Sequence, residues 1–213
     1  MIKKYELTNE TIKVLDTTLY RIKALRSFHN VTEGDLGGFV EGERNLSQDG
    51  DSWIYNDAQV YGRAQVYGEA QVYDNARVYG DARVYGDARV YGNSCIYHNA
   101  QVYGDARVYG NSCIYHNAQV YGDAQVSSYA RVYGDAQVSG SAVVTKPSEC
   151  IAISNTKHNI TVTKYHIQIG CEMHTIEQWR KSIVNIGRTH GYTDREIKAT
   201  INLLKGALMQ RHA

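Results

Sequence analysis

Residues 78–118 read VYGDARVYGDARVYGNSCIYHNAQVYGDARVYGNSCIYHNA, with an aliphatic residue at every sixth position and a small residue two positions before each. Outward from this stretch the register runs unbroken from Ile54 to Val144, giving sixteen aliphatic marks, each preceded by Ala or Ser from Ser52 to Ala142. Six is not a helical period. A β-branched residue next to Tyr, with Gly two positions on, predicts a short strand followed by a sharp corner. A unit this short cannot bury a core alone, so the repeats must stack as a solenoid.

The VYGDAR unit resembles the hexapeptide-repeat, left-handed parallel β-helix family, over about 95 residues. The resemblance implies three units per 18-residue coil, hence about five regular coils. With strands stacked about 4.8 Å apart, the prism would be roughly 24 Å long. Its interior would hold columns of Val or Ile and of Ala.

An 18-residue coil sorts the outward residues into columns. Tyr follows the mark in 13 of the first 15 units, with Ser127 and Ser139 as the exceptions. Three ladders result, one of them Tyr61, Tyr79, Tyr97, Tyr115 and Tyr133. Stacked tyrosines stiffen a prism, and they also make adhesive protein surfaces at low entropy cost. A protein partner bound through this ladder, with Arg89 and Arg107 as charged neighbours, is the expected site. Glu69, Asp87, Asp105 and Asp123 form an acidic column, read as solvated pairing or as an electrostatic partner surface.

The unit NSCIYHNA occurs at 93–100 and again at 111–118, one coil apart. Cys95 should therefore lie over Cys113, and His98 over His116. Thiolate and imidazole are zinc ligands, but a copied repeat also explains the pair, and the spacing does not ensure tetrahedral closure. No metal or other cofactor is expected. Many members of the hexapeptide family are trimeric acyltransferases with a His general base and acyl-coenzyme A between subunits, which would assign His98 and His116 that role. The sixteen units run with no insertion for the extruded loop such enzymes usually carry.

Both flanks read as caps on the open strand edges of a solenoid. Residues 3–25 predict short strands with a turn near Asp16, and EGDLGGFV at 33–40 leads into an irregular first coil through Val40 and Leu46. The stretch from LRSFHNV to NLSQDGDSWIY resembles the start of uncharacterised hexapeptide-repeat proteins of bacteria and phages. After Pro147, CIAIS, NITVTKY and HIQIG predict strands. Capping boxes at Thr175/Gln178 and Thr193/Glu196 then open two helices separated by Gly191, with Ile176, Trp179, Ile183 and Ile186, and Ile197, Ile201, Leu204 and Leu208, as their apolar faces. HIQIGCEMHTIEQW with GYTDREI resembles a C-terminal module of phage and prophage proteins. Cys150, His166, Cys171 and His174 are further metal candidates there. The expected domains are 1–50, 51–145 and 146–213.

Composition narrows the function classes. The formal charge is +1, with 23 basic and 22 acidic side chains, which argues against nucleic acid as partner despite basic residues on both predicted helices. No 18-residue apolar run or apolar leader is visible, so a cytoplasmic, non-membrane protein is expected. A non-enzymatic binding protein is the expectation, and the resemblance to phage and prophage proteins implies a phage-encoded inhibitor or anti-defence role. A trimeric acyltransferase and a self-assembling unit are the alternatives, and flat faces also admit a dimer or trimer.

Overall fold

The computed structural model describes residues 3–154 and 156–210. An antiparallel hairpin, β1 (Tyr5–Val14) and β2 (Thr17–Ala24), pairs through β2 with β3 (Leu36–Val40). From there β3 runs parallel to Gln59–Val60, and the chain winds into sixteen two-residue strands, β4 (Trp53–Ile54) to β19 (Val143–Val144). Successive coils pair with an 18-residue offset, as in Gln59 with Arg77 and Val60 with Val78. Three parallel sheets result, and the molecule is a β-solenoid of about six turns.

The reason lies in the unit. Val or Ile and Ala point inward and are fully buried in every coil, forming one continuous core from Val40 to Val144. Each buried Val or Ile contributes roughly 1.5–3 kcal/mol. At the corners the Ala N–H points back at the Tyr carbonyl three residues earlier, as in Ala58 to Tyr55 at 3.1 Å. The corner residue takes positive φ and its backbone nearly touches the next coil: a Cβ on Gly86 (φ +69°) would lie 2.9 Å from the Gly104 nitrogen. This explains the recurrent Gly.

The GDLGGFV stretch owes its glycines to a different constraint. A Cβ on Gly37 would lie 2.5 Å from the Ile54 carbonyl oxygen, and one on Gly38 would collide with the Ala58 carbonyl and the Ile54 side chain. Only bare backbone lets β3 lie against the first regular coil.

The cap also buries a lysine. Lys4 is fully enclosed, and its Nζ donates to the carbonyls of Ser52 (3.0 Å), Gly50 (3.2 Å) and Asp49 (3.4 Å). Burial, with the Arg26 charge adding, holds its ammonium down to about 8 from 10.5. Between these values the unfolded chain binds more protons than the folded one, so stability from this group rises with pH. Lys4→Met should cost roughly 1–3 kcal/mol at pH 7 by leaving carbonyls unpaired. The gap to wild type should widen from pH 8 to 10.5, since other titrating groups are common to both proteins. Urea unfolding at pH 7 and pH 10 checks this; a constant gap contradicts the buried ammonium.

At the far end, Pro147–Glu149 forms a short 3-10 turn, and four antiparallel strands follow: Ile151–Ile153, Ile160–Val162, His166–Ile169 and Glu172–Thr175. The last of these was not expected; Met173 lies opposite Gln168 and extends the sheet up to the helix cap. Helices α1 (Ile176–Thr189) and α2 (Asp194–Gln210) begin at the expected capping boxes. Trp179, Leu204 and Ala207 pack on Ile160, Val162 and Ile167 in a second core. Gln168 seats this module on the solenoid, its Nε2 donating to Tyr121 Oη (2.7 Å) and Gln137 Oε1 (2.9 Å), while Gln137 N donates to Thr161 Oγ1 (2.8 Å).

Candidate binding faces

The solenoid converts sequence period into flat columns, so each candidate residue has a definite face. Tyr61, Tyr79, Tyr97, Tyr115 and Tyr133 stack along the sheet that contains Val60, Val78, Ile96, Ile114 and Val132. Successive ring centroids are 5.1, 5.1, 5.0 and 5.4 Å apart, with planes within 15° of parallel. Stacking half-buries the rings, and only Tyr133 at the open end is largely exposed, at 47%. Burial, with the Cys95 thiol adding, pushes the Tyr79 phenol up to about 12, so it stays neutral across the physiological range.

The ladders differ in their hydroxyls. On the sheet of Val66 and Val84, Tyr85 and Tyr103 donate to Gln101 and Gln119 at 3.2 and 3.3 Å, and Tyr121 accepts from Gln168. Among the described residues, no hydroxyl of the Tyr61–Tyr133 ladder, nor of the shorter ladder of Tyr55, Tyr73, Tyr91 and Tyr109, has a hydrogen bond within the chain, but the shorter ladder is broken where Tyr55 meets Tyr73 edge-on at 88°. Five phenol groups in line are therefore available to an outside partner.

Arg89 and Arg107 do not belong to this face. They pair with each other on the third sheet, beside Tyr73, Tyr91 and Tyr109, so the expected grouping splits into two surfaces. Counting positions in steps of 18 separates them in sequence alone. The same count places Arg77 and Arg131 on either side of Cys95 and Cys113, a neighbourhood that sequence reading missed.

Cys95 pairs in register with Cys113. His98 and His116 stack at 5.0 Å, but on the adjacent corner, at φ +58° and +60° where most units carry Gly. Tyr97 and Tyr115 stand between the thiols and the imidazoles. Among the described residues no three His, Cys, Asp or Glu side chains are placed to hold a metal ion. The imidazoles border a shallow open depression with Asp81, Asn99 and Asn117.

The C-terminal candidates are also dispersed. Cys150 is buried at the end of the solenoid core, which pushes its thiol up to about 12. Cys171 is exposed on a turn. His174 Nε2 meets Glu172 at 2.8 Å, and His166 Nδ1 is buried with no hydrogen-bond partner among the described residues. Glu172 also meets His190 at 3.1 Å beside a cleft of about 40 Å³, room for a few waters and far too small for a coenzyme. The exposed basic residues of the helices include two in ion pairs, Lys181 with Glu177 and Arg188 with Asp194.

Fold and faces define a repeat β-solenoid protein with laddered surfaces. The YdcK beta solenoid repeat family model matches residues 70–84, 82–97, 100–117 and 130–145, all within the coils. No curated protein matches the chain. Among the described residues no helix is long and apolar enough to cross a membrane.

Proposed function

We propose that the protein is a non-enzymatic binding module that docks a protein partner along the Tyr61–Tyr133 ladder. The observation that carries this reading is a rigid line of five stacked phenols whose hydroxyls have no partner within the described chain. Phenols in this arrangement offer large contact area and directed hydrogen bonds at little conformational cost. The regular two-residue strands from Trp53 to Val144, with no extruded loop between them, favour a presenting surface over an enclosed reaction site. A phage-encoded inhibitor acting in a bacterial cytoplasm is the biological setting we infer from the sequence resemblance.

The test is a pull-down from bacterial lysate with the full chain, beside two triple variants at Tyr79, Tyr97 and Tyr115. Changing all three to Phe keeps the rings and removes the hydroxyls; changing them to Ser removes both. A stoichiometric partner weakened at least about tenfold by Phe, equivalent to about 1.4 kcal/mol, and lost with Ser supports the reading. Capture unaffected by either variant overturns it. For the acyltransferase alternative, His98 and His116 are best changed to Gly, because Gly relieves the left-handed corner that Ala would retain. Coenzyme A release abolished in that variant would establish the enzyme instead. A mass in light scattering that rises with concentration would point to self-assembly, for which Arg131–Val132 supplies a sheet end with no paired strand beyond it among the described residues.

A further inference from the structure

The outward column beside the Tyr61–Tyr133 ladder contains Gln59, Arg77, Cys95, Cys113 and Arg131 in strict 18-residue steps. Elsewhere from Gln59 to Gln137 this position of the unit holds Gln or Arg. Here two adjacent coils carry Cys instead, and the two thiols are bracketed by guanidinium-bearing residues. Both are partly exposed, and both are free.

We propose that Cys95 and Cys113 form a peroxide-reactive dithiol that closes reversibly into a disulfide between coils. In-register parallel strands lie about 4.7–4.9 Å apart, inside the Cα range of about 4.4–6.8 Å that a disulfide spans. The Cβ atoms of such a pair keep nearly the strand spacing, whereas disulfides prefer about 3.8 Å. Closure therefore draws the coils together against the packed Ile96 and Ile114, and the resulting bond is easily reduced. The two sulfurs are also inequivalent. A hydrogen bond from Cys95, with Arg131 adding, pushes the Cys113 thiol down against its partial burial. The same bond and burial push Cys95 up, against the opposing charge of Arg77 in register with it, and the Asn93 carbonyl, its other acceptor, is 4.0 Å away.

The chemistry follows from the register of the two thiols and the Arg residues on either side of them, with Cys113, the thiol farther from the Asn93 carbonyl, taken as the attacking group. The Cys113 thiolate attacks one oxygen of hydrogen peroxide, the O–O bond breaks, and the departing hydroxide takes up the proton that Cys113 had released, forming water. The Cys95 sulfur then attacks the Cys113 sulfenic sulfur; the S–O bond breaks, and its hydroxyl leaves as a second water with the Cys95 proton. Two thiols lose two electrons and two protons, and the peroxide becomes two waters. This inference does not depend on the binding role of the ladder.

The test treats the reduced full-length protein with hydrogen peroxide, alkylates the remaining thiols and maps the peptides by mass spectrometry. The expected result is a Cys95–Cys113 link that forms faster than Cys171 oxidises and is reversed by dithiothreitol. In single variants, a sulfenic-acid trap should label Cys113 in Cys95→Ser well ahead of Cys95 in Cys113→Ser. Arg131→Gln, a residue the column already accepts at position 59, should slow the reaction about tenfold at neutral pH and move its half-maximal pH upward. Sulfinic or sulfonic acid without the link, or two thiols no more reactive than Cys171, overturns the proposal. An unchanged rate in Arg131→Gln removes the guanidinium from it.

Discussion

Trp53→Ala is expected to lower stability by about 3–5 kcal/mol, the range for emptying a fully buried tryptophan site. Trp53 occupies an outward column position, in register with Gln71, yet it is 1% exposed because the N-terminal cap closes over it. Tyr5 and Phe28 meet it edge-on at 6.2 and 5.4 Å. The Tyr5 hydroxyl donates to the carbonyls of Leu46 (2.7 Å) and Glu43 (3.1 Å), so loss of the indole also loosens the irregular first coil. Gln71→Ala removes the next residue of the same column, outside the cap, and should change stability by no more than about 0.5 kcal/mol. Urea denaturation of the two variants makes the comparison. Equal costs would mean that the cap does not bear on the indole.

The Tyr79, Tyr97 and Tyr115 triple change to Ser should itself destabilise the solenoid. It removes four Tyr–Tyr stacks, Tyr61–Tyr79 through Tyr115–Tyr133, besides the edge contacts of Tyr97 and Tyr115 with His98 and His116. Aromatic pairs contribute about 0.5–1.5 kcal/mol each beyond area burial, so the expected loss is roughly 2–6 kcal/mol. The Phe triple keeps every stack and should remain within about 1 kcal/mol of wild type, because the hydroxyls it removes make no bond within the described chain. Thermal unfolding of both variants separates ladder packing from ladder chemistry. A Ser triple as stable as wild type would show that the stacks bear no load, leaving adhesion as the reason for the rings. A Phe triple as unstable as the Ser one would mean that the hydroxyls have structural partners.

Much of the solenoid was legible because a six-residue period leaves few alternatives. Val78 and Val84 can be buried together only if the chain turns between them, and Gly80 marks the turn. Columns follow from position alone, so the Cys95–Cys113 register and the three Tyr ladders could be read in advance. The separation of Arg89 from the Tyr61 ladder was equally accessible by counting in steps of 18. Capping boxes at Thr175 and Thr193 were local signals and located both helices. Glu172–Thr175 was missed because a strand running directly into a helix cap carries no boundary of its own.

The burial of Lys4 and Trp53 was not legible. Both depend on residues more than 20 positions distant, and neither residue type in its setting signals an enclosed site. The hydroxyl inventory of the ladders was also hidden, since Tyr121 is engaged only because the C-terminal sheet brings Gln168 to it from 47 residues away. By itself the sequence determined the repeat, the inward columns and the order of residues along each face, because these follow from short-range sterics and the preference of apolar side chains for the interior. Only the tertiary structure decided which ends of those faces are covered and which phenols remain unpaired, because such contacts join segments whose approach no local pattern encodes.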